Sequence, residues 1–192
     1  MSCAIVGFGP VGQALARAFA RKEIEVSVAS RRPAEALVPQ ARAIGPTVIP
    51  KPLDDALKAD IVILAVPFWQ HREIAKAARS WQGKIVIDVT NAFGVALEEL
   101  DGLPSSVVVS RALPGARLVK AFNHLPAGIL AQDPNVKGGR RVIFLSSDDE
   151  SATASVGALV EQLGFAPIGL DNDAEVIQHF LERDRIDPVG NA

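Results

Sequence analysis

Cysteine is almost absent from this chain. Cys3 is the only one, so no disulfide can close within the sequence, and a buried strand residue is its expected identity rather than a redox or metal-binding group. Long basic runs are missing as well, and the net charge is −2, which argues against nucleic acid or an anionic membrane as the main partner. The longest apolar run, Ile61 to Trp69, is far too short to span a bilayer. No leader segment precedes the first strand pattern, which begins almost at Met1, so the chain reads as cytoplasmic and reduced. There is no internal repeat, no low-complexity linker, no nucleophile triad and no His/Cys spacing of metal type. What remains is a chain of 192 residues with 48% hydrophobic content. That is enough for one domain with a real core, carrying a short C-terminal extension over about residues 171–192.

The present features are organised around Cys3-Ala4-Ile5-Val6-Gly7-Phe8-Gly9-Pro10-Val11-Gly12. An apolar strand pattern runs straight into G-x-G-x-x-G, and an amphipathic helix follows with Val11, Leu15, Ala18 and Phe19 on one face. Each glycine has its own mechanical purpose in a dinucleotide site. Gly7 turns the chain at the strand end, Gly9 lets a pyrophosphate approach the backbone, and Gly12 lets the helix pack closely on the sheet. Pro10 suits the first helical turn, and the unpaired N–H groups there, with the helix dipole, form an anion site.

Further along, strand patterns alternate with helical ones. Strands are expected at Ile24–Ala29, Thr47–Ile49, Ile61–Val66, Lys84–Val89, Leu118–Phe122, Arg141–Leu145 and Phe165–Leu170. Helices are expected over Pro33–Ala43, Leu53–Lys58, from near Phe68 to about Ser80, after Ser147 and over Val176–Arg183. Ser147 and Glu150 have the spacing of a capping box, and Gly164 stops that helix. Asp133 to Gly139 reads as a turn-rich loop. Residues 92–116 stay open, because Val107-Val108-Val109 has strand propensity between turn-forming neighbours. This rhythm predicts an α/β fold with a doubly wound parallel sheet of Rossmann type, whose ligands bind beyond the carboxyl ends of the strands.

The candidate site residues are therefore those at strand ends. Gly7, Phe8, Gly9, Pro10, Val11 and Gly12 belong to the dinucleotide turn, and Ala65, Val66 and Pro67 end the central strand. Ser30, Arg31 and Arg32 end the second strand with a hydroxyl and two guanidinium groups where an NAD enzyme would place a carboxylate; NADP recognition is the better reading, a solvated basic turn the other. Asn91 and Asn123 read either as contacts to the nicotinamide or a second ligand, or as turn-stabilising amides. Of the histidines, His124 has the best claim to chemistry, His71 is as suited to local capping as to ligand contact, and His179 reads as a surface residue. Core packing is expected of both Trp69 and Trp81.

Taken together, these motifs resemble the deazaflavin (coenzyme F420)-dependent NADP oxidoreductase family. They are also similar to the cytosolic oxidoreductase domain of the six-transmembrane metalloreductases. The residues that carry the likeness are Gly7 to Gly12, Ala29-Ser30-Arg31-Arg32-Pro33, Ala65-Val66-Pro67, Gln70-His71, Gly83 to Asn91, Leu118-Val119-Lys120-Ala121-Phe122-Asn123 and Leu163 to Pro167. The resemblance implies NADP(H) binding and hydride transfer to or from a flavin or deazaflavin, a small-molecule acceptor lying against the nicotinamide. From their places at ligand-side strand ends, where no clear carboxylate partner makes His71 or His124 a proton donor, Asn91, Asn123 and His124 are expected to line the place where the two rings stack. A homodimer is compatible with it. Phe68-Trp69 after Pro67 is one aromatic more than the deazaflavin enzymes carry there. Two other readings stand beside this one: an NADP-dependent reductase of a small carbonyl or imine that needs a partner chain, and a non-catalytic NADP-sensing domain.

Overall fold

The computed structural model describes residues 1–170, with the backbone alone at Leu97. The expected terminal helix Val176–Arg183 and His179 lie outside the described residues. Strand β1 (Cys3–Val6) leads into helix α1 (Pro10–Arg21), then β2 (Val26–Ala29), α2 (Val38–Ile44), β3 (Val48–Pro50), α3 (Leu53–Ala56) and β4 (Ile61–Leu64). Helix α4 (His71–Ala77), β5 (Ile85–Asp88), α5 (Ser105–Ala112) and β6 (Arg117–Lys120) complete a six-stranded sheet in the order β3-β2-β1-β4-β5-β6. All five strand pairs are parallel. The order reverses between β1 and β4, which places a crevice above their carboxyl ends.

Why the strands are apolar throughout is visible in the packing. Ile5, Ile63, Ile87 and Val119 face one core, while Val6, Val62, Leu64 and Val86 face another, so both sheet faces are covered. Helix α1 buries Leu15, Ala18 and Phe19 completely on the first face. Burial of such a Leu or Phe side chain stabilises by roughly 1.5–3 kcal/mol, and Phe19→Ala would cost about 3–5 kcal/mol through the cavity it leaves. The second core joins Ile74 of α4 and Val109 of α5 to Trp81 and Leu113.

Beyond β6 the chain adds α6 (Ala127–Leu130), a short hairpin β7 (Asn135–Val136) and β8 (Gly139–Arg140), then β9 (Val142–Leu145), α7 (Glu150–Gln162) and β10 (Ala166–Gly169). Strands β9 and β10 form their own parallel pair, tied to β6 by an antiparallel bridge between Lys120 and Ser146. Helix α7 packs Val156, Leu159 and Val160 on the first core, and Gly164, at φ +94°, ends the helical run as expected.

Several local expectations change. The open segment 92–116 contains helix α5 rather than a strand. Pro104 opens it, Val107 N–H donates to the Pro104 carbonyl at 3.0 Å, and Val109 is fully buried, so tertiary burial outweighs β-propensity. The Asp133–Gly139 loop includes most of an antiparallel hairpin, with Lys137 and Gly138 at positive φ at its tip. The expected capping box does not form. Asp149 is the N-cap of α7 and accepts from Ala152 N–H at 2.9 Å, while the Ser147 hydroxyl donates to the Leu118 carbonyl at 2.5 Å. Arg117 on β6 holds the Asp149 carboxylate at 2.6 and 2.8 Å, which fixes the residue at which the helix begins and holds that carboxyl well below its ordinary range. Cys3 is buried in β1, and burial pushes its thiol up to about 11. Among the described residues no helix is long and apolar enough to cross a membrane, and no cluster of His, Cys, Asp and Glu is arranged to hold a metal.

Candidate functional site

The crevice between β1 and β4 is built from backbone. Gly7 N–H donates to the Ala29 carbonyl and Ala65 N–H to the Val6 carbonyl, both at 2.8 Å, so the ends of three strands meet there. Gly7 has φ +104°, and a Cβ on it would lie 2.2 Å from the Ala65 carbonyl oxygen. A Cβ on Gly12 would lie 1.9 Å from the Gly7 oxygen, so this residue sets the close approach of α1 to the strand turn. Gly9 is different: nothing lies within 4 Å of where its Cβ would be. One glycine serves the turn, one the helix packing, and one leaves open space in front of a helix N-terminus.

That N-terminus has Gly9 as its N-cap, with no side-chain capping bond, Pro10 in the first turn and no acidic residue in it. Its first N–H groups and the helix dipole favour a bound phosphate. Phe8 is buried in the first core, so only its backbone reaches the site; its carbonyl accepts from Gln13 Nε2 at 3.1 Å. Val11 is partly buried against the same core. Ala65 and Val66 are half-buried and Pro67 exposed at the end of β4. The residues present fit a dinucleotide pyrophosphate.

Past β2, Ser30 is half-buried and its hydroxyl accepts from Arg32 N–H at 3.0 Å, which folds the turn. Arg31 and Arg32 are both exposed, and the Arg32 guanidinium donates to Gln40 Oε1 at 3.0 Å. Arg32 is thus tethered to α2, and Arg31 projects from the same turn into solvent.

The ends of β5 and β6 are joined through a network. Asn91 Nδ2 donates to the Asn123 carbonyl at 2.8 Å, and Asn123 Nδ2 donates to Asn91 Oδ1 at 3.1 Å. The structure therefore brings these two predicted residues together, each serving as the other's partner. Beneath them lies a feature that sequence reasoning missed. Asp88 and Lys120 pair across β5 and β6 at 2.9 Å, with side chains 0% and 5% exposed. Asp88 Oδ1 also accepts from Thr90 N–H at 2.9 Å, and Lys120 donates to the Thr90 carbonyl. The only signal in the sequence was a charge inside each of two apolar strands. A second missed feature is Phe122, a buried residue at φ +61°, where side chains other than glycine are strained. Its ring meets Phe165 edge-on at 6.1 Å, which anchors the turn that delivers Asn123.

Among the described residues the two imidazoles are engaged with backbone. His71 is buried, packs at a tilt against Phe68 with ring centres 4.9 Å apart, and directs Nδ1 at the Phe68 carbonyl. A carbonyl only accepts, so Nδ1 carries the proton and the ring closes the turn Phe68–Gln70. His124 is half-buried, packs against Phe144 at 5.1 Å and donates from Nε2 to the Val142 carbonyl at 3.2 Å. Burial pushes its pKa down, only partly opposed by that hydrogen bond. Trp81 is core, as expected, with Nε1 donating to the Ala75 carbonyl at 2.9 Å. Trp69 is not: it is 67% exposed, because Phe68 takes the inward position of the tight turn and rotates its neighbour out.

The family described as NADP oxidoreductase, coenzyme F420-dependent, matches residues 2–92. A hypothetical protein from Sinorhizobium meliloti is 40% identical over 88% of this chain and 84% of its own, with a TM-score of 0.84. A candidate F420-dependent NADP reductase from Arthrobacter sp. FB24 is 24% identical, with 95% and 91% of the two chains covered and a TM-score of 0.75. A reductive aminase from Aspergillus terreus, solved with NADPH and ethyl levulinate, is 18% identical; 95% of this chain covers 59% of that one, with a TM-score of 0.68. The last two are likenesses of fold.

Proposed function

This chain belongs to the coenzyme F420-dependent NADP oxidoreductase family, and from that premise we propose that it moves hydride between NADP(H) and a flavin-type ring, either a flavin or coenzyme F420. The open space at Gly9, before a helix N-terminus without acidic side chains, supports the seat for the pyrophosphate. Ser30 and Arg31 at the end of β2 support the choice of NADP over NAD through the additional ribose phosphate. Held there by the Gly9 turn, the N-terminus of α1 and the Ser30–Arg32 turn, NADPH would supply a hydride for an acceptor ring, with the accompanying proton coming from solvent.

The observation that carries the acceptor class is the engagement of both imidazoles at this edge. Reduction of a carbonyl or imine calls for a positioned proton donor. His71 Nδ1 is engaged by the Phe68 carbonyl and His124 Nε2 by the Val142 carbonyl, and the second nitrogen of each ring is buried and turned away from solvent, where it does not reach an open substrate site. Asp88 is committed to Lys120. Transfer to a flavin-type ring makes weaker demands, because the ring supplies its own electronics and the protein orients it. Asn91 and Asn123, locked to each other, orient the turns beyond β5 and β6 where nicotinamide and acceptor meet, and His124 supports the second of these turns. On this reading the partner is a small molecule and the setting is cytoplasmic.

Two measurements test the proposal. NADPH oxidation is followed with riboflavin, FMN, coenzyme F420 and a panel of small ketones and imines; turnover with the rings is expected, and turnover with the ketones or imines alone overturns it. Arg31→Ala should weaken NADPH and leave NADH nearly unchanged. A charge-assisted hydrogen bond contributes roughly 1.5–3 kcal/mol, or about tenfold to a hundredfold in affinity. Equal losses for both cofactors would remove Arg31 from phosphate recognition.

A further inference from the structure

Two large aromatic side chains stand in solvent beyond the carboxyl ends of β4 and β5. Trp69 is 67% exposed and Phe93 is 65% exposed. Single exposed hydrophobic residues are ordinary on protein surfaces, but this pair is placed by the sheet. Strands β4 and β5 are parallel neighbours in which Leu64 pairs with Asp88, and Trp69 and Phe93 each lie five residues beyond that pair. Both therefore follow the carboxyl ends of adjacent strands, beside Ala65–Pro67 and Asn91. Among the described residues the other exposed large hydrophobics, Met1, Val136 and Ile168, lie elsewhere, at the chain start, in the hairpin and on β10.

Neither ring sits on a slack loop. Trp69 belongs to the turn Phe68–Gln70, whose Phe68 is buried and whose His71 packs on Phe68 and bonds its carbonyl. Phe93 lies inside the turn that Val95 N–H closes on the Ala92 carbonyl at 3.2 Å, just after Asn91, which is bonded to Asn123. Exposed rings on anchored backbone are held ready for a flat partner, with little ordering left to do when it binds.

We propose that Trp69 and Phe93 form an aromatic platform for the acceptor, a tricyclic isoalloxazine or deazaisoalloxazine ring, and so determine which acceptors this protein takes. The inference rests on the reading of the crevice as the site of a flavin-type acceptor. Such rings present two apolar faces, and stacking on indole or phenyl is the contact suited to them. The platform is continuous with the cofactor crevice, because β4 and β5 neighbour each other and β4 borders the glycine turn.

The test uses the full chain and three probes, riboflavin, FMN and coenzyme F420, with NADPH affinity measured in parallel. Trp69→Leu and Phe93→Leu change exposed residues, and circular dichroism verifies that both fold. Each is expected to weaken ring binding by roughly fivefold to a hundredfold, with NADPH affinity within about twofold of wild type and Trp69→Phe restoring most of the loss. Fluorescence of Trp69 should be quenched by the ring, and that of buried Trp81 much less. If wild type oxidises NADPH with a ring and the double variant keeps the same KM for it, the platform is refuted and the function stands. Failure of wild type to bind any of the three rings while binding NADPH removes both. A double variant that changes only the oligomeric state, with ring affinity intact, assigns these side chains to contact between copies and refutes the platform.

Discussion

The buried pair of Asp88 and Lys120 allows a sharp test of how the site is held. Lys120→Met removes the ammonium and keeps the stem, leaving a fully buried carboxylate with Thr90 N–H as its remaining partner at 2.9 Å. Breaking a buried pair from one side costs about 3–5 kcal/mol, against a total stability of roughly 5–15 kcal/mol for a typical domain. For a chain of this size that is a fall in Tm of about 6–20 °C, at roughly 2–4 °C per kcal/mol. Replacing both charges, in D88L/K120M, avoids the uncompensated carboxylate. Apolar replacement of a whole pair is often neutral or stabilising by about 1–4 kcal/mol, offset here by about 1–3 kcal/mol for each of the two groups it abandons, the Thr90 N–H and the Thr90 carbonyl. The single variant also abandons the carbonyl and keeps an unpaired carboxylate, so the double variant should melt above it. Thermal unfolding by circular dichroism, with urea titration as a second probe, measures all three proteins. If Lys120→Met melts with wild type, or single and double variants melt together, the carboxylate was never as isolated as its burial says and the reasoning fails.

The glycines predict opposite phenotypes. Gly12→Ala drives a Cβ to 1.9 Å from the Gly7 oxygen, a backbone atom that cannot swing aside, so about 1–3 kcal/mol or more of stability is lost; Gly9→Val meets nothing within 4 Å and should stay folded while losing NADPH binding. Melting curves beside calorimetric titrations decide, and a stable Gly12→Ala or a Gly9→Val that binds normally contradicts the assignment. His124 predicts a pH dependence of stability. Its folded-state pKa lies below the ordinary value of 6.5, so on acidification the unfolded chain takes up the proton first and stability falls as pH drops below about 6.5. His124→Gln should show a shallower fall over that range; superimposable stability–pH curves would falsify the burial argument.

What consecutive residues encode was legible from the sequence. The β1 strand, the glycine turn and α1 are specified by neighbours along the chain, since each glycine answers a steric demand made within a few residues or by the next strand. The alternation of strands and helices follows from hydrophobic period, and the basic turn at Ser30–Arg32 from the position of β2 after the glycines. What needed the tertiary structure depends on which strands become neighbours. Asp88 with Lys120, and Asn91 with Asn123, are each 32 residues apart, and only the parallel register of β5 on β6 makes them partners. The same holds for Arg117 choosing Asp149 as the cap of α7, and for Phe122, whose positive φ is tolerated because Phe165 anchors its ring. Val107–Val109 became helix, and Trp69 turned outward, because burial is shared out among all elements at once: Val109 and Phe68 took the places in the core, and local propensity has no knowledge of that allocation.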